Sequence, residues 1–194
     1  MPQSNHARPT TDRVREALFS AIAAWAGRAA EPVEDSLAGL AFCDLYAGSG
    51  AVGLEAASRG ATRVLLVERD PRIAQLGRRN AKTLGLAVDI VVSPVEQVLR
   101  KAPPHPFDIV FADPPYELDT PTVSAQIQQL VGNAWIDDGS LIVVERSRRT
   151  PQLIWPDSAV KRWSRAYGET ILSFGSLELS SGSSGPAPDR APPC

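Results

Sequence analysis

Residues 43–53 read Cys43-Asp44-Leu45-Tyr46-Ala47-Gly48-Ser49-Gly50-Ala51-Val52-Gly53. An apolar run at 40–46 leads into three glycines spaced as Gly48-x-Gly50-x-x-Gly53, and a helical stretch opens on them. Glycines so placed let the chain turn tightly and let a ligand approach the backbone. The helix that follows presents unpaired N–H groups. The stretch therefore predicts strand, turn and helix with a ligand at the turn, the opening unit of a doubly wound α/β sheet.

Working outward, strand-like and helix-like segments alternate. Runs rich in Val, Ile, Leu and Phe at 40–46, 63–67, 88–92, 107–112 and 140–145 are apolar on both faces, as buried parallel strands are. Between them 51–58, 71–84, 94–101 and 122–131 are long enough for helical turns, with Pro71, Pro94 and Pro121 where a first-turn proline is tolerated. Before them, Thr10, Thr11 and Asp12 are good N-cap residues. Val14, Leu18, Ile22 and Trp25 follow at helical spacing, and 27–36 reads as a connection. The end differs: 160–167, Gly168-Glu169 and 170–179 predict an antiparallel hairpin. The expected fold is α/β, a mostly parallel doubly wound Rossmann-like sheet ending in an antiparallel hairpin. S-adenosylmethionine-dependent methyltransferases share that architecture.

The expected division is an N-terminal helical extension at 1–36 contributing to the substrate and cofactor site, a catalytic domain at 37–179, and a tail at 180–194. The tail is Ser-, Gly- and Pro-rich without periodicity, which predicts disorder or a cloning-derived segment. The chain has 194 residues, 43% hydrophobic and 22% charged, which excludes a fibrous or wholly disordered protein. No apolar stretch is long enough for a membrane span, and the first residues lack the regions of a signal peptide. A cytoplasmic protein is expected. Cys43 lies in an apolar run and Cys194 is the last residue, while His6 and His105 stand alone, so neither a disulfide framework nor a metal site is expected. A formal net charge of −2 argues against a uniformly basic nucleic-acid-binding surface. Local clusters remain at Arg8, Arg13 and Arg15, at Arg146, Arg148 and Arg149, and at Lys161, Arg162 and Arg165.

Two places carry the chemistry. Glu68 follows the second strand 20 residues after Gly48, where a carboxylate accepts ribose hydroxyls. With Ala47, Gly48, Ser49, Gly50 and Gly53 it predicts an adenosine-containing cofactor. Asp44 favours S-adenosylmethionine among such cofactors, because an acid there suits a cationic amino-acid end and would sit poorly beside a pyrophosphate. Ser93, after the third strand, is placed either to approach the adenine or to cap a helix. The second place is Phe111-Ala112-Asp113-Pro114-Pro115-Tyr116, at the end of the fourth strand. Two prolines stiffen the turn, so the Asp113 carboxylate and the Pro114 carbonyl are two acceptors facing one point. An exocyclic amino group of a base offers two matching donors, and Tyr116 offers a stacking face.

Taken together, these residues resemble the RsmD-type family of bacterial ribosomal RNA methyltransferases. The resemblance runs from about residue 8 to residue 177. Its distinctive pieces are Arg8-Pro9-Thr10-Thr11-Asp12-Arg13-Val14-Arg15-Glu16, the 44–50 loop, Ser58-Arg59-Gly60-Ala61, Ala112-Asp113-Pro114-Pro115-Tyr116 and Tyr167-Gly168-Glu169-Thr170. It implies transfer of a methyl group from S-adenosylmethionine to guanine N2 of small-subunit ribosomal RNA, within an assembling particle and without a metal. Asp44, the 47–50 loop and Glu68 would then hold the cofactor, and Asp113, Pro114 and Tyr116 the target amino group. Arg8, Thr10, Arg13 and Arg15 become candidate substrate contacts. Members of the family usually carry a Gly- and Arg-rich hairpin before the Arg-Pro-Thr segment; here only 1–7 precedes it. From the residues alone, an adenine-N6 methyltransferase, a dinucleotide-dependent oxidoreductase and a binding protein without turnover stay open.

Overall fold

The computed structural model describes residues 12–178. In its interior lies β1 (Ala41–Leu45), buried along its whole length. The other strands are β2 (Arg63–Glu68), β3 (Asp89–Val92), β4 (Ile109–Ala112), β5 (Leu141–Ser147), β6 (Ala159–Tyr167) and β7 (Thr170–Leu177). They form one sheet in the order β3-β2-β1-β4-β5-β7-β6. The first five run parallel, while β7 is antiparallel to both β5 and β6. This is the mostly parallel sheet with a terminal hairpin that the alternation of segments predicts. The 168–169 turn of the hairpin contains Gly168 at φ 59°.

Successive side chains of a strand point to opposite faces, so β1 feeds two cores. Phe42 belongs to one with α1 (Asp12–Trp25) and α2 (Ala51–Ser58), which bring in Leu18, Phe19, Ile22, Val52 and Ala56. Cys43 and Leu45 belong to the other with α4 (Val95–Val98) and α5 (Thr120–Gly132), which supply Val95, Val123, Ile127 and Leu130. The Phe19 and Phe42 rings lie 6.2 Å apart, and the Arg59 guanidinium sits 4.7 Å over Phe19. Trp25 Nε1 donates to Ser176 Oγ at 3.3 Å, tying α1 to β7. Between β2 and β3, α3 (Pro71–Leu84) starts on Asp70, whose carboxylate accepts from Arg72 N at 2.7 Å, and stops at Gly85 with φ 67°. Pro71 occupies the first helical position, where its missing N–H costs nothing. Among the described residues no helix is long and apolar enough to cross a membrane.

Three expectations are corrected. The run at 88–92 reads as a two-sided buried strand, yet β3 is largely exposed, with Val91 at 37% and Val92 at 39%. It forms the outer edge of the sheet and pairs on one side only. The helix expected over 94–101 is the single turn of α4, and Pro94 precedes it as N-cap. Side chains from beyond α5 take the carbonyls that follow that turn. Asn133 Nδ2 donates to Leu99 O at 2.7 Å and Trp135 Nε1 to Lys101 O at 2.8 Å. Finally, β5 extends to Ser147, past the expected end at 145. The expectations for 1–11 and 179–194, including the N-caps at Thr10 and Thr11, lie outside the described residues.

Candidate active site

The strand order reverses between β1 and β4, which are neighbours although β2 and β3 intervene in sequence. Their register sets Leu45 opposite Ala112, and the Asp113 N–H points to Leu45 O at 3.4 Å. The glycine loop and the Asp-Pro-Pro-Tyr segment thus leave the same edge of the sheet side by side. Ligands of open α/β sheets occupy the crevice at such a reversal.

Leaving β1, Tyr46 adopts φ 65°, a left-handed conformation that a bulky residue reaches only at a cost of about 1–3 kcal/mol. Its hydroxyl donates to Gln126 Oε1 at 2.6 Å, which anchors it to α5. Gly48 follows at φ 57°, and a Cβ there would meet nothing within 4 Å, so the outer face of the loop is open. Two carboxylates hold the loop from beneath. Glu68 accepts from Gly48 N at 2.9 Å with one oxygen and from Asp70 N at 2.8 Å with the other, joining the loops after β1 and β2. Asp44, buried under the loop, accepts from Gly53 N at 2.8 Å. Gly53 answers a packing need: a Cβ there would lie 2.0 Å from Leu66 Cδ2. Gly50 precedes α2 without a side-chain cap, and Ser49 O accepts from Asn80 Nδ2 at 3.1 Å.

Carboxyl groups concentrate at the reversal. Burial, reinforced by Glu68 and opposed by the Gly53 N–H, raises the Asp44 carboxyl to about 7. Burial again, then Glu145 and Asp44, raise Asp113 to about 8, against the pull of Arg146. Arg146 is itself 7% exposed and held by Nη2 donating to Leu118 O at 2.7 Å. Its Nε and Nη1 have no hydrogen-bond partner among the described residues. Burial lowers its affinity for its proton, and Asp113 chiefly restores it. Burial likewise pushes the Tyr46 phenol up to about 12.

The structure brings Asp44, Ala47, Gly48, Ser49, Gly50, Glu68 and Asp113 to one edge. Ser93 joins them, its N–H donating to Glu68 O at 3.1 Å and its Oγ only to Pro94 O at 3.4 Å; α4 has no side-chain cap. Pro114 is buried and Tyr116 is 73% exposed. Arg13 is exposed on the first turn of α1, and Arg15 pairs with Asp12 at 2.9 Å. Arg8 and Thr10 lie outside the described residues. Sequence reasoning missed Tyr46 and Gln126, and counted Arg146 only as part of a basic cluster. The signal for Arg146 was its position directly after an apolar run that ends in Glu145. Among the described residues no group of three or more His, Cys, Asp or Glu could hold a metal ion.

The sequence profile of the family described as Conserved hypothetical protein 95 matches residues 1–176. The chain belongs to that family. Within the family's reach lies the Escherichia coli (strain K12) ribosomal RNA small subunit methyltransferase D, 38% identical over 147 residues, covering 75% of this chain and 67% of that one. A solved candidate methyltransferase from Escherichia coli superposes with a TM-score of 0.76 at 29% identity, covering 92% of this chain and 90% of its own. The fold extends beyond close relatives. The Thermus thermophilus 16S rRNA N2 G1207 methyltransferase, solved with AdoMet and guanosine, gives a TM-score of 0.67 at 17% identity over 91% of this chain and 45% of its own.

Proposed function

We propose that this chain transfers a methyl group from S-adenosylmethionine to the exocyclic N2 amino group of a guanine in small-subunit ribosomal RNA. One observation carries the reading. The Asp113-Pro114-Pro115-Tyr116 segment leaves the sheet beside the glycine loop, with Asp113 N–H against Leu45 O, so a methyl donor on the loop and an acceptor at Asp113 are neighbours. Family membership and the name of the Escherichia coli relative support ribosomal RNA as the substrate.

The residues fit the cofactor. Asp44 and Asp113, raised to about 7 and about 8 chiefly by burial, lie with Glu68 along one edge, and a cationic ligand beside them would favour their ionised forms. The open face at Gly48 and the uncapped start of α2 give a carboxylate backbone N–H groups to meet. Glu68 would take the ribose hydroxyls, since each oxygen accepts one N–H here and has a lone pair to spare. Asp44 would face the amino-acid end. When bound, S-adenosylmethionine supplies an electrophilic methyl on a sulfonium.

The chain's own residues do the rest. Asp113 and the Pro114 carbonyl accept the two hydrogens of the target amino group, which holds it oriented and draws electron density onto nitrogen. Tyr116 stacks on the extruded base, and Arg146 keeps the Leu118 end of the segment in place. The test is incubation with labelled S-adenosylmethionine and small-subunit RNA, naked and assembled with proteins, followed by mapping of the product. N2-methylguanine is expected. N6-methyladenine, or no transfer to RNA in either form, would overturn the reading.

A further inference from the structure

A cleft of about 590 Å3 opens beside Tyr116 and Arg146, between the segment that follows Pro115 and the turn that follows β5. The two most exposed large apolar side chains of the described residues, Tyr116 at 73% and Ile154 at 67%, both line it. Exposed apolar groups that share one cleft mark a surface for binding. The cleft also has a cationic end, at Arg146 and Arg149. Arg149 meets Glu169 through Nε at 3.1 Å, but both side chains are more than two-thirds exposed. Such a pair holds weakly and leaves the outer nitrogens free. Arg146 contributes a buried guanidinium with two unpartnered nitrogens.

The acidic residues of the cleft narrow the choice of ligand. Asp119 is engaged in capping α5, accepting from Thr122 N at 2.9 Å, whereas Glu117 is exposed and would repel a bare anion. An apolar slot with cationic donors and a carboxylate near it suits a nucleotide, which has a flat apolar base, edge donors and one phosphate. A separate groove of about 430 Å3 on α3 is lined by Pro71, Arg72, Gln75, Leu76 and Arg79, all on the helix's exposed side, and brings in no buried polar group.

We propose that the Tyr116–Ile154 cleft is a subsite for the RNA nucleotide adjoining the target base, with that nucleotide's base against Tyr116 and Ile154 and its phosphate on Arg149. This rests on the reading of the chain as an RNA methyltransferase. Tyr116 then borders both the target base and its neighbour. The subsite fixes which stretch of strand can enter, and it does so without touching the methyl group.

The test uses Arg149→Ala and Ile154→Ser, both exposed positions away from the reacting groups. Affinity is read with fluorescein-labelled single-stranded RNA over a salt series, and transfer is read on naked small-subunit RNA and on assembled particles. Each variant should raise KM for RNA about tenfold with kcat and S-adenosylmethionine affinity unchanged. Arg149→Ala should also flatten the slope of log affinity against log salt by about 0.7, as expected for one single-strand phosphate contact. Ile154→Ser should leave that slope alone. Unchanged KM and slope in both variants would overturn the subsite while leaving the methyltransferase reading intact. A defect on particles but not on naked RNA would also overturn it, because the cleft would then meet a protein. Absence of transfer by the unmodified chain would instead remove the reading on which the subsite rests.

Discussion

Asp113 is assigned the work of an ionised acceptor, yet its surroundings favour the protonated acid at neutral pH. With the carboxyl raised to about 8, about a tenth is ionised at pH 7 and about nine-tenths at pH 9. If the charged form is the productive one, as the proposed role of Asp113 requires, methyl transfer should rise about tenfold across that interval. The assay is single-turnover transfer to small-subunit RNA at cofactor concentrations far below its Kd, where the ionisation of the free enzyme governs the rate. Asp44, at about 7, contributes a lower limb, and removal of the Asp113 charge leaves only that one. Glu145→Gln deletes the neighbouring charge that raises Asp113 and should move the upper limb to lower pH. Asp113→Asn keeps the shape and one acceptor oxygen, and should be slower by roughly 10²-fold with no upper limb. A flat wild-type profile, or the same upper limb in Asp113→Asn, would show that another group titrates and that Asp113 is not the acceptor.

The same burial has a consequence for stability. The folded value of Asp113 lies above its unfolded one, so the folded chain holds the proton longer, and stability falls as pH rises between the two at up to about 1.4 kcal/mol per unit. Asp113→Asn should therefore melt higher than wild type at pH 8 and show little gain at pH 4, as read by thermal unfolding across pH. Glu68→Ala removes the acceptor for Gly48 N and Asp70 N, and should weaken S-adenosylmethionine binding about tenfold in calorimetry; unchanged affinity would take Glu68 out of the site. Gly53→Ala drives a methyl to 2.0 Å from Leu66 Cδ2 and should cost about 1–3 kcal/mol in urea unfolding, with cofactor affinity reduced as α2 shifts from Asp44. A neutral result there would mean that α2 is free to slide.

Much of the sheet was legible because its strands and helices differ in period and are separated by glycine and proline. The 43–53 stretch was the clearest case, since strand, turn and helix follow one another within eleven residues. What escaped depends on neighbours distant in sequence. Val91 and Val92 look like core residues, and only the strand order makes them an edge. The short α4 is cut off by Asn133 and Trp135, more than 30 positions away. At the proposed site, the positions of Glu68 at the end of β2 and Asp113 just after β4 could be read from the sequence. Arg146 could not be given its setting, because nothing in its own segment tells that it is buried, bonded to the Leu118 carbonyl and electrostatically linked to Asp113. Tyr46 carries no sequence sign of its positive φ, which depends on the anchor at Gln126, 80 positions on.

The contact between Trp25 and Ser176 spans 151 positions. A ribosome adding about 5–20 residues per second would need roughly eight to thirty seconds to make the second partner after the first. Throughout that interval the chain lacks β7, and Phe174, part of the same core as Leu18, Phe19 and Ile22 of α1, has yet to be made. The nascent chain is then a platform waiting for its last strand, exposed to chaperones and proteases until the hairpin inserts beside β5.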